Sequence, residues 1–415
     1  MNNFLLLVSV VFLLIVGIGF FNEKVTRLTD EIALLLFSAV AGCVITAVWA
    51  FTKNTSVRDL LAGIQVFRLD EFLVEGVLCF MLFAGSRNLK LRAFRENARK
   101  IGVLAFVCTL LGAVFYGGLF YLVCLLLRLP ATFPMCLMLG SIIAPTDPIA
   151  ATSILKKFGL PKKVGVLMEA ESLLNDGVGV ALFVCFSGMA AGGAGTGFVV
   201  LMLKEILGAV VIGVILTCFL FPFFLRTKNP HRRIFVTLLL VALSYFVCEL
   251  AGCSGAISCV VCGLSFSAFR ERAESKGMLP ELETFDSFWE TLDVLLNSIL
   301  YVVLGLTFVR ILQMPMVGIL SISAILLNLV CRFGSIFAGT FMMGELPDGY
   351  GKGRFSALFT WGGLRGGLSI ALAMGTAGIV LAEQYHVILG CAYAVVFFTT
   401  VVQGLTMKNV YRHLS

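Results

Sequence analysis

Residues Glu169–Val178 read EAESLLNDGV, and they stand between two runs fit for lipid, VGVLM (Val164–Met168) and VGVALFVCF (Val178–Phe186). A carboxylate near the centre of a bilayer costs from about 3 to above 10 kcal/mol, depending on the reference state. A membrane segment carrying Glu171, Ser172, Asn175 and Asp176 must offset that cost by function or pairing. On a helix these residues are spaced i, i+1, i+4 and i+5. Glu171 and Asn175 stack on one face, and Ser172 and Asp176 stack beside them. The strip is about one turn tall and rich in hydroxyl, amide and carboxylate oxygens, hard donors suited to alkali cations or protons rather than soft metals. The Asn175–Asp176 pair holds one carboxylate. One negative charge therefore serves either a proton or a monovalent cation, which gives exchange at one charge per charge.

The rest of the chain agrees with a membrane setting. Of 415 residues, 59% are hydrophobic and 13% charged, against about 25% charged in soluble proteins. This composition predicts an all-α polytopic membrane protein. The thirteen cysteines lie scattered in apolar runs, as at Cys248, Cys253, Cys259 and Cys262. No matched CxxC pairs or histidines accompany them, so they read as small apolar filler rather than a zinc site. No cofactor is called for. The net charge of +7 is loop charge and not a nucleic-acid signal. The opening run FLLLVSVVFLLIVGIGF (Phe4–Phe20) lacks a preceding basic region and a cleavage site, and reads as a first span rather than a signal peptide.

Apolar runs long enough to cross a bilayer fall near 3–21, 31–52, 69–86, 101–127, 132–155, 164–190, 196–225, 233–251, 254–269, 286–311, 315–343, 354–379 and 385–407, about 13 spans. Most of the 31 lysines and arginines lie in the loops after odd-numbered spans and in the tail. The other loops hold Lys53, Arg58, Arg128 and Arg310, while Arg68, Lys204, Arg332 and Arg365 fall within or at the edge of spans. Basic residues stay cytoplasmic, so the N-terminus is expected outside and the C-terminus inside. A short tail after the last span carries the expectation that no soluble regulatory domain is attached.

Two spans are interrupted. SIIAPTDPIAATS (Ser141–Ser153) sets Thr146 and Asp147 between Pro145 and Pro148, and each proline removes a donor and clashes with the preceding turn. TWGGLRGGLS (Thr360–Ser369) surrounds Arg365 with four glycines. The two spans are seven apart, so they run in opposite directions. Broken helices at corresponding places in inverted halves point to a secondary-transporter site. The halves would be about 1–190 and 233–410, linked by the span at 196–225.

The buried cations are Arg332, in NLVCRFGSIF, and Arg365. Their candidate partners are Glu171, Asp147 and the acids Glu71 and Glu75 of DEFLVEGVLCF. Two acids paired with two arginines would leave Asp176 as the titrating group. Glu169 reads as a cavity-mouth or loop-end residue, Glu249 as a snorkelling surface residue, and His231, His386 and His413 as span-end residues with no ligand role.

The stretch Pro145–Phe183, together with the Arg of the eleventh span, the GGLRG break and MLFAGSRNLKLRAF (Met81–Phe94), resembles the monovalent cation:proton antiporter family of bacterial NhaP-type and animal sodium/proton exchangers. The likeness covers nearly the whole chain in span count and motif order. It implies an inverted-repeat fold with two crossing broken helices and electroneutral exchange of Na⁺ (or Li⁺ or K⁺) for H⁺ by alternating access. Asp176 would bind cation and proton in turn, Asn175 would support it, and Ser172 and Thr146 would supply oxygens to the monovalent metal ion. Glu171 would pair with Arg332, while Asp147 and Arg365 would neutralise the broken helix ends. Glu71 would approach the cavity. A homodimer is implied, in lipid of a plasma or bacterial inner membrane, with core helices at about 101–190 and 315–407 moving against a dimerising scaffold. A K⁺/H⁺ exchanger of the same fold is the nearest alternative. A cation channel is the distant one, since a filter needs a ring of equivalent groups.

Overall fold

The structure, a computed structural model, describes residues 3–52, 76–89, 91–147, 162–190, 197–278, 282–308 and 317–414. These residues are helical with no named β-strand. Each expected span has a helical counterpart among them. α1 is Asn3–Phe21, α2 Asp30–Thr52, α3 Leu78–Ser86, α4 Ala98–Leu126 and α5 Phe133–Ile143. α6 is Lys162–Ala190, α7 Phe198–Arg226, α8 Pro230–Ala251, α9 Gly255–Ser275 and α10 Glu283–Thr307. α11 is Val317–Met343, α12 has two halves, α12a (Lys352–Trp361) and α12b (Gly367–Met374), and α13 is Ala382–Leu414. Nine helices among the described residues are long and apolar enough to cross a membrane. Glu71 and Glu75, Pro148 and the end of the expected 132–155 span lie outside the described residues.

Local chemistry sets the boundaries. The Thr132 hydroxyl caps α5 and Pro134 follows in its first turn, where a missing N–H loses nothing. Asn229 caps α8 through the His231 amide at 2.9 Å, with Pro230 at the first helical position. α8 ends on Gly252 at φ 63°, a left-handed residue that suits glycine, and Ser254 at once caps α9. α9 runs six residues past the expected 269 because its final turns are held by charge, with Arg270 and Glu274 paired at 2.7 Å. Two π-helical stretches, Val103–Cys108 in α4 and Phe398–Gln403 in α13, have no counterpart in the hydropathy pattern.

Packing brings the two interrupted regions to the middle. α5 lies between α4 and α6, α11 packs on α4, α12a and α13, and α12b touches α5 and α13. On the other side α2 packs along α10, and α9 packs on α3 and α7. The α4–α5 contact is close because of Gly140. A Cβ there would run into the Ala113 carbonyl and lie 3.1 Å from the Gly117 amide nitrogen. Both neighbours are backbone and cannot swing aside. Gly140→Leu is expected to cost about 3 kcal/mol or more from overpacking, read as a lower melting temperature in detergent. An unchanged melting temperature would mean that α4 and α5 do not approach this closely.

Candidate functional site

Helix α5 stops at Ile143, and Pro145, Thr146 and Asp147 follow in non-helical backbone. α12 stops at Trp361 and resumes at Gly367. The two interruptions cross and satisfy one another. The Asp147 amide donates to the Leu364 carbonyl at 2.8 Å. The Arg365 guanidinium donates to the carbonyls of Ala144 and Pro145, both at 2.9 Å, and to Asn328 Oδ1 at 3.0 Å. Those carbonyls end α5 and have lost their helical donors. Threonines of the π stretch in α13 complete the break: the Arg365 amide donates to Thr399 Oγ1 at 3.0 Å, and Thr400 Oγ1 donates to the Arg365 carbonyl at 3.1 Å. The sequence offered Arg365 either an acid partner or, by the family resemblance, a broken helix end to neutralise, and its bonds go to the end of α5. Among the described residues its direct contacts are oxygens of carbonyls and one amide, because the broken helix end offers unpaired acceptors where its fork reaches.

The polar strip of α6 faces this crossing. Asn175 is fully buried and clasps Thr146. Its Oδ1 accepts from the Thr146 amide at 3.1 Å, and its Nδ2 donates to Thr146 Oγ1 at 2.8 Å. Thr146 Oγ1 also lies 2.8 Å from Ser172 Oγ. Ser172, Asn175 and Thr146 thus share one network, which binds α6 to the unwound end of α5. Glu171 and Arg332 form a buried ion pair at 2.5 Å, with side chains 2% and 4% exposed. Arg332 stands one helical turn after Asn328 on α11, so one face of that helix serves both arginines.

Asp176 stands apart. It is only partly buried and lines a cavity of about 670 Å³ together with Thr146, Asp147, Glu169 and Asp286. Among the described residues it accepts no hydrogen bond and makes no ion pair. Asp147 lines the same cavity, and its Oδ2 accepts from the Tyr301 hydroxyl of α10 at 2.5 Å. Glu169 is half-buried in the cavity wall, while Glu249, His231, His386 and His413 are exposed. Sequence reading missed Asn328, Tyr301, Thr399 and Thr400. The i, i+4 spacing of Asn328 and Arg332 was an available signal; the others carry none outside the tertiary fold.

Interrupted helices that cross inside an all-helical membrane chain, with a carboxylate in a cavity beside them, define a protein of the antiporter fold. The whole chain overlays the sodium proton antiporter MjNhaP1 from Methanocaldococcus jannaschii with a TM-score of 0.76, 17% identity and 99% of each chain covered. The model of the family described as sodium/hydrogen exchanger, transmembrane, matches residues 58–413. The Na⁺/H⁺ antiporter NhaH of Halobacillus dabanensis is 31% identical over 94% of this chain and 93% of its own length. The Na⁺/H⁺ antiporter NhaP of Pseudomonas aeruginosa is 28% identical over 95% and 93%. The chain belongs to the sodium/hydrogen exchanger family.

The ion pair makes a distinct prediction about stability. Removing one partner of a buried pair strands the other charge and costs about 3–5 kcal/mol. Glu171→Ala and Arg332→Ala should each lower the melting temperature well below that of Asp176→Asn, which breaks no hydrogen bond or ion pair among the described residues. Equal melting temperatures for all three variants and the parent chain would reject the pairing.

Proposed function

We propose that this chain exchanges Na⁺, or Li⁺ or K⁺, for H⁺ by alternating access, with both ions competing for Asp176. The observation that carries the reading is the isolation of Asp176. Glu171, Arg332 and Arg365 are all engaged, and of these four charges Asp176 alone lines the cavity and has no hydrogen bond or ion pair among the described residues. A carboxylate so placed can hold a proton or shed it and hold a cation. The hydroxyls of Thr146, beyond the end of α5, and of Ser172, on the strip, lie 2.8 Å apart and suit a partly dehydrated alkali ion. Since one charge is either neutralised by a proton or by a cation, each crossing carries the same net charge and turnover is electroneutral. The relatives named above as Na⁺/H⁺ antiporters support Na⁺ as the ion.

In this reading the chain has thirteen spans in a plasma or bacterial inner membrane, with its N-terminus outside, and works as a homodimer. Helices at about 101–190 and 315–407 move as one body against the remaining scaffold. The crossing of α5 and α12 suits such motion, because its bonds are internal to the moving body. Tyr301 is different: its bond to Asp147 joins scaffold to core and must break when the core moves.

Everted vesicles with a pH-sensitive dye test the proposal. Added Na⁺ or Li⁺ should drive proton movement, and Asp176→Asn should abolish it while remaining folded, since an amide cannot titrate. Exchange by a well-folded Asp176→Asn variant would refute the assignment. Adding K⁺ in the same assay decides for the K⁺/H⁺ reading if K⁺ alone is effective. Electroneutrality is tested in proteoliposomes: an imposed membrane potential should leave the rate of Na⁺-driven exchange unchanged, and a clear dependence on voltage would exclude a single shared charge.

A further inference from the structure

Between α7 and α9, at the end where Arg226 closes α7, lies a groove of about 350 Å³ that the exchange cycle does not use. Its volume is within the range of ligand clefts. The walls are apolar: Cys218, Phe221, Pro222 and Leu225 from α7, Phe269 from α9, and Met278 just past the end of α9. The groove opens toward the outer face of α7, a helix apolar enough to cross a membrane. Cys218 is exposed, and its neighbours Phe219 and Phe223 are 63% and 52% exposed. In a bilayer such a face meets acyl chains.

Charge at the rim supplies a second, independent observation. Arg272 and Lys276 line the groove and are exposed. They stand one helical turn apart where α9 ends, and so share a face. Neither side chain has an ion pair or hydrogen bond among the described residues, and no acid among those residues lines the groove. Arg270, two residues earlier, is the contrast: it is bonded to both Glu274 and Asp286. The same end of the molecule carries the exposed cations Arg226, Lys228 and Arg232. Cations in the last turn of a helix also complement its dipole, but that role calls for no groove beside them.

An apolar channel that ends at two unpaired cations matches one ligand chemistry, a hydrocarbon chain with an anion at its head. We propose that the α7–α9 groove binds an anionic phospholipid, its acyl chain along Phe221, Leu225 and Phe269 and its phosphate between Arg272 and Lys276. The guanidinium fork offers two parallel donors to phosphate oxygens, and the ammonium acts as a point charge. Basic pockets between membrane helices hold lipid headgroups in this way. A neutral lipid fills the groove but leaves both cations unanswered. Both helices lie in the scaffold of the exchange reading above, where the bound lipid holds the static part of the protein in its leaflet. The binding itself does not depend on that reading.

The test is native mass spectrometry of the purified full chain in detergent, titrated with phosphatidylglycerol or with phosphatidylcholine. The parent chain should retain phosphatidylglycerol in preference. Arg272→Gln combined with Lys276→Gln should weaken that retention about tenfold or more, as the loss of two cations near a headgroup implies. Cys218→Trp fills the groove from an exposed position, leaves both cations in place, and should weaken retention as well. Arg95→Gln combined with Arg99→Gln removes the same charge from another exposed surface and should change nothing. Excess inorganic phosphate, which has no chain, should not displace the lipid. Equal retention of the two lipids by the parent chain, unchanged retention in either groove variant, or displacement by phosphate would overturn the site. So would loss of a dimer mass in place of lipid, which would show a second copy of the chain covering the groove. The two groove variants act through different walls, so if one fails to fold the other decides. Absence of exchange in the parent chain would remove the antiporter reading and leave this site standing.

Discussion

Backbone that leaves the helix inside a bilayer must find new hydrogen-bond partners, because no lipid group can supply them. The rest of this molecule is arranged around that constraint. α5 ends in carbonyls that nothing in their own helix can satisfy, and the Arg365 fork meets two of them. α12 in turn is interrupted so that Arg365 can stand there, and its own opened backbone is met by Thr399, Thr400 and the Asp147 amide. Each break is the other's solution. Neither would be tolerable at this depth alone.

That mutual satisfaction separates charges that hold the structure from the charge left to do chemistry. Glu171 and Arg332 are withdrawn into a buried pair, and Arg365 is spent on carbonyls and Asn328. Asn175 uses both ends of its amide on Thr146. Of the strip's four polar residues, Asp176 is the one that lines the cavity. A helix strip that looks uniformly polar in sequence is thus divided, residue by residue, into clamp and site.

The spans, the two interruptions and the strip on α6 were legible because they are one-dimensional signals: long apolar runs, prolines and glycines out of place, carboxylates where none should be. A buried arginine demands a partner, but the residues alone left Glu171, Asp147, Glu71 and Glu75 open to Arg332, and only the family resemblance singled out Glu171. For Arg365 the residues alone suggested an acid partner, since sequence counts acids but not carbonyls freed by a broken helix, and only the family resemblance pointed to a helix end. Tyr301 was invisible for a different reason. It looks like any aromatic on an apolar face, and only the approach of α10 to Asp147 gives its hydroxyl a purpose. The π stretch of α13 was equally hidden, because its distinction lies in turning Thr399 and Thr400 toward another helix.

The bond between the two breaks also orders events during synthesis. α5 emerges more than two hundred residues before Arg365, Thr399 and Thr400. Until they arrive, the carbonyls of Ala144 and Pro145 must be served by water or by the insertion machinery. The amino-terminal half therefore cannot reach its final form in lipid by itself. A nascent chain halted before α12 would hold an open helix end within the membrane, a mark by which quality control could tell an unfinished copy from a complete one.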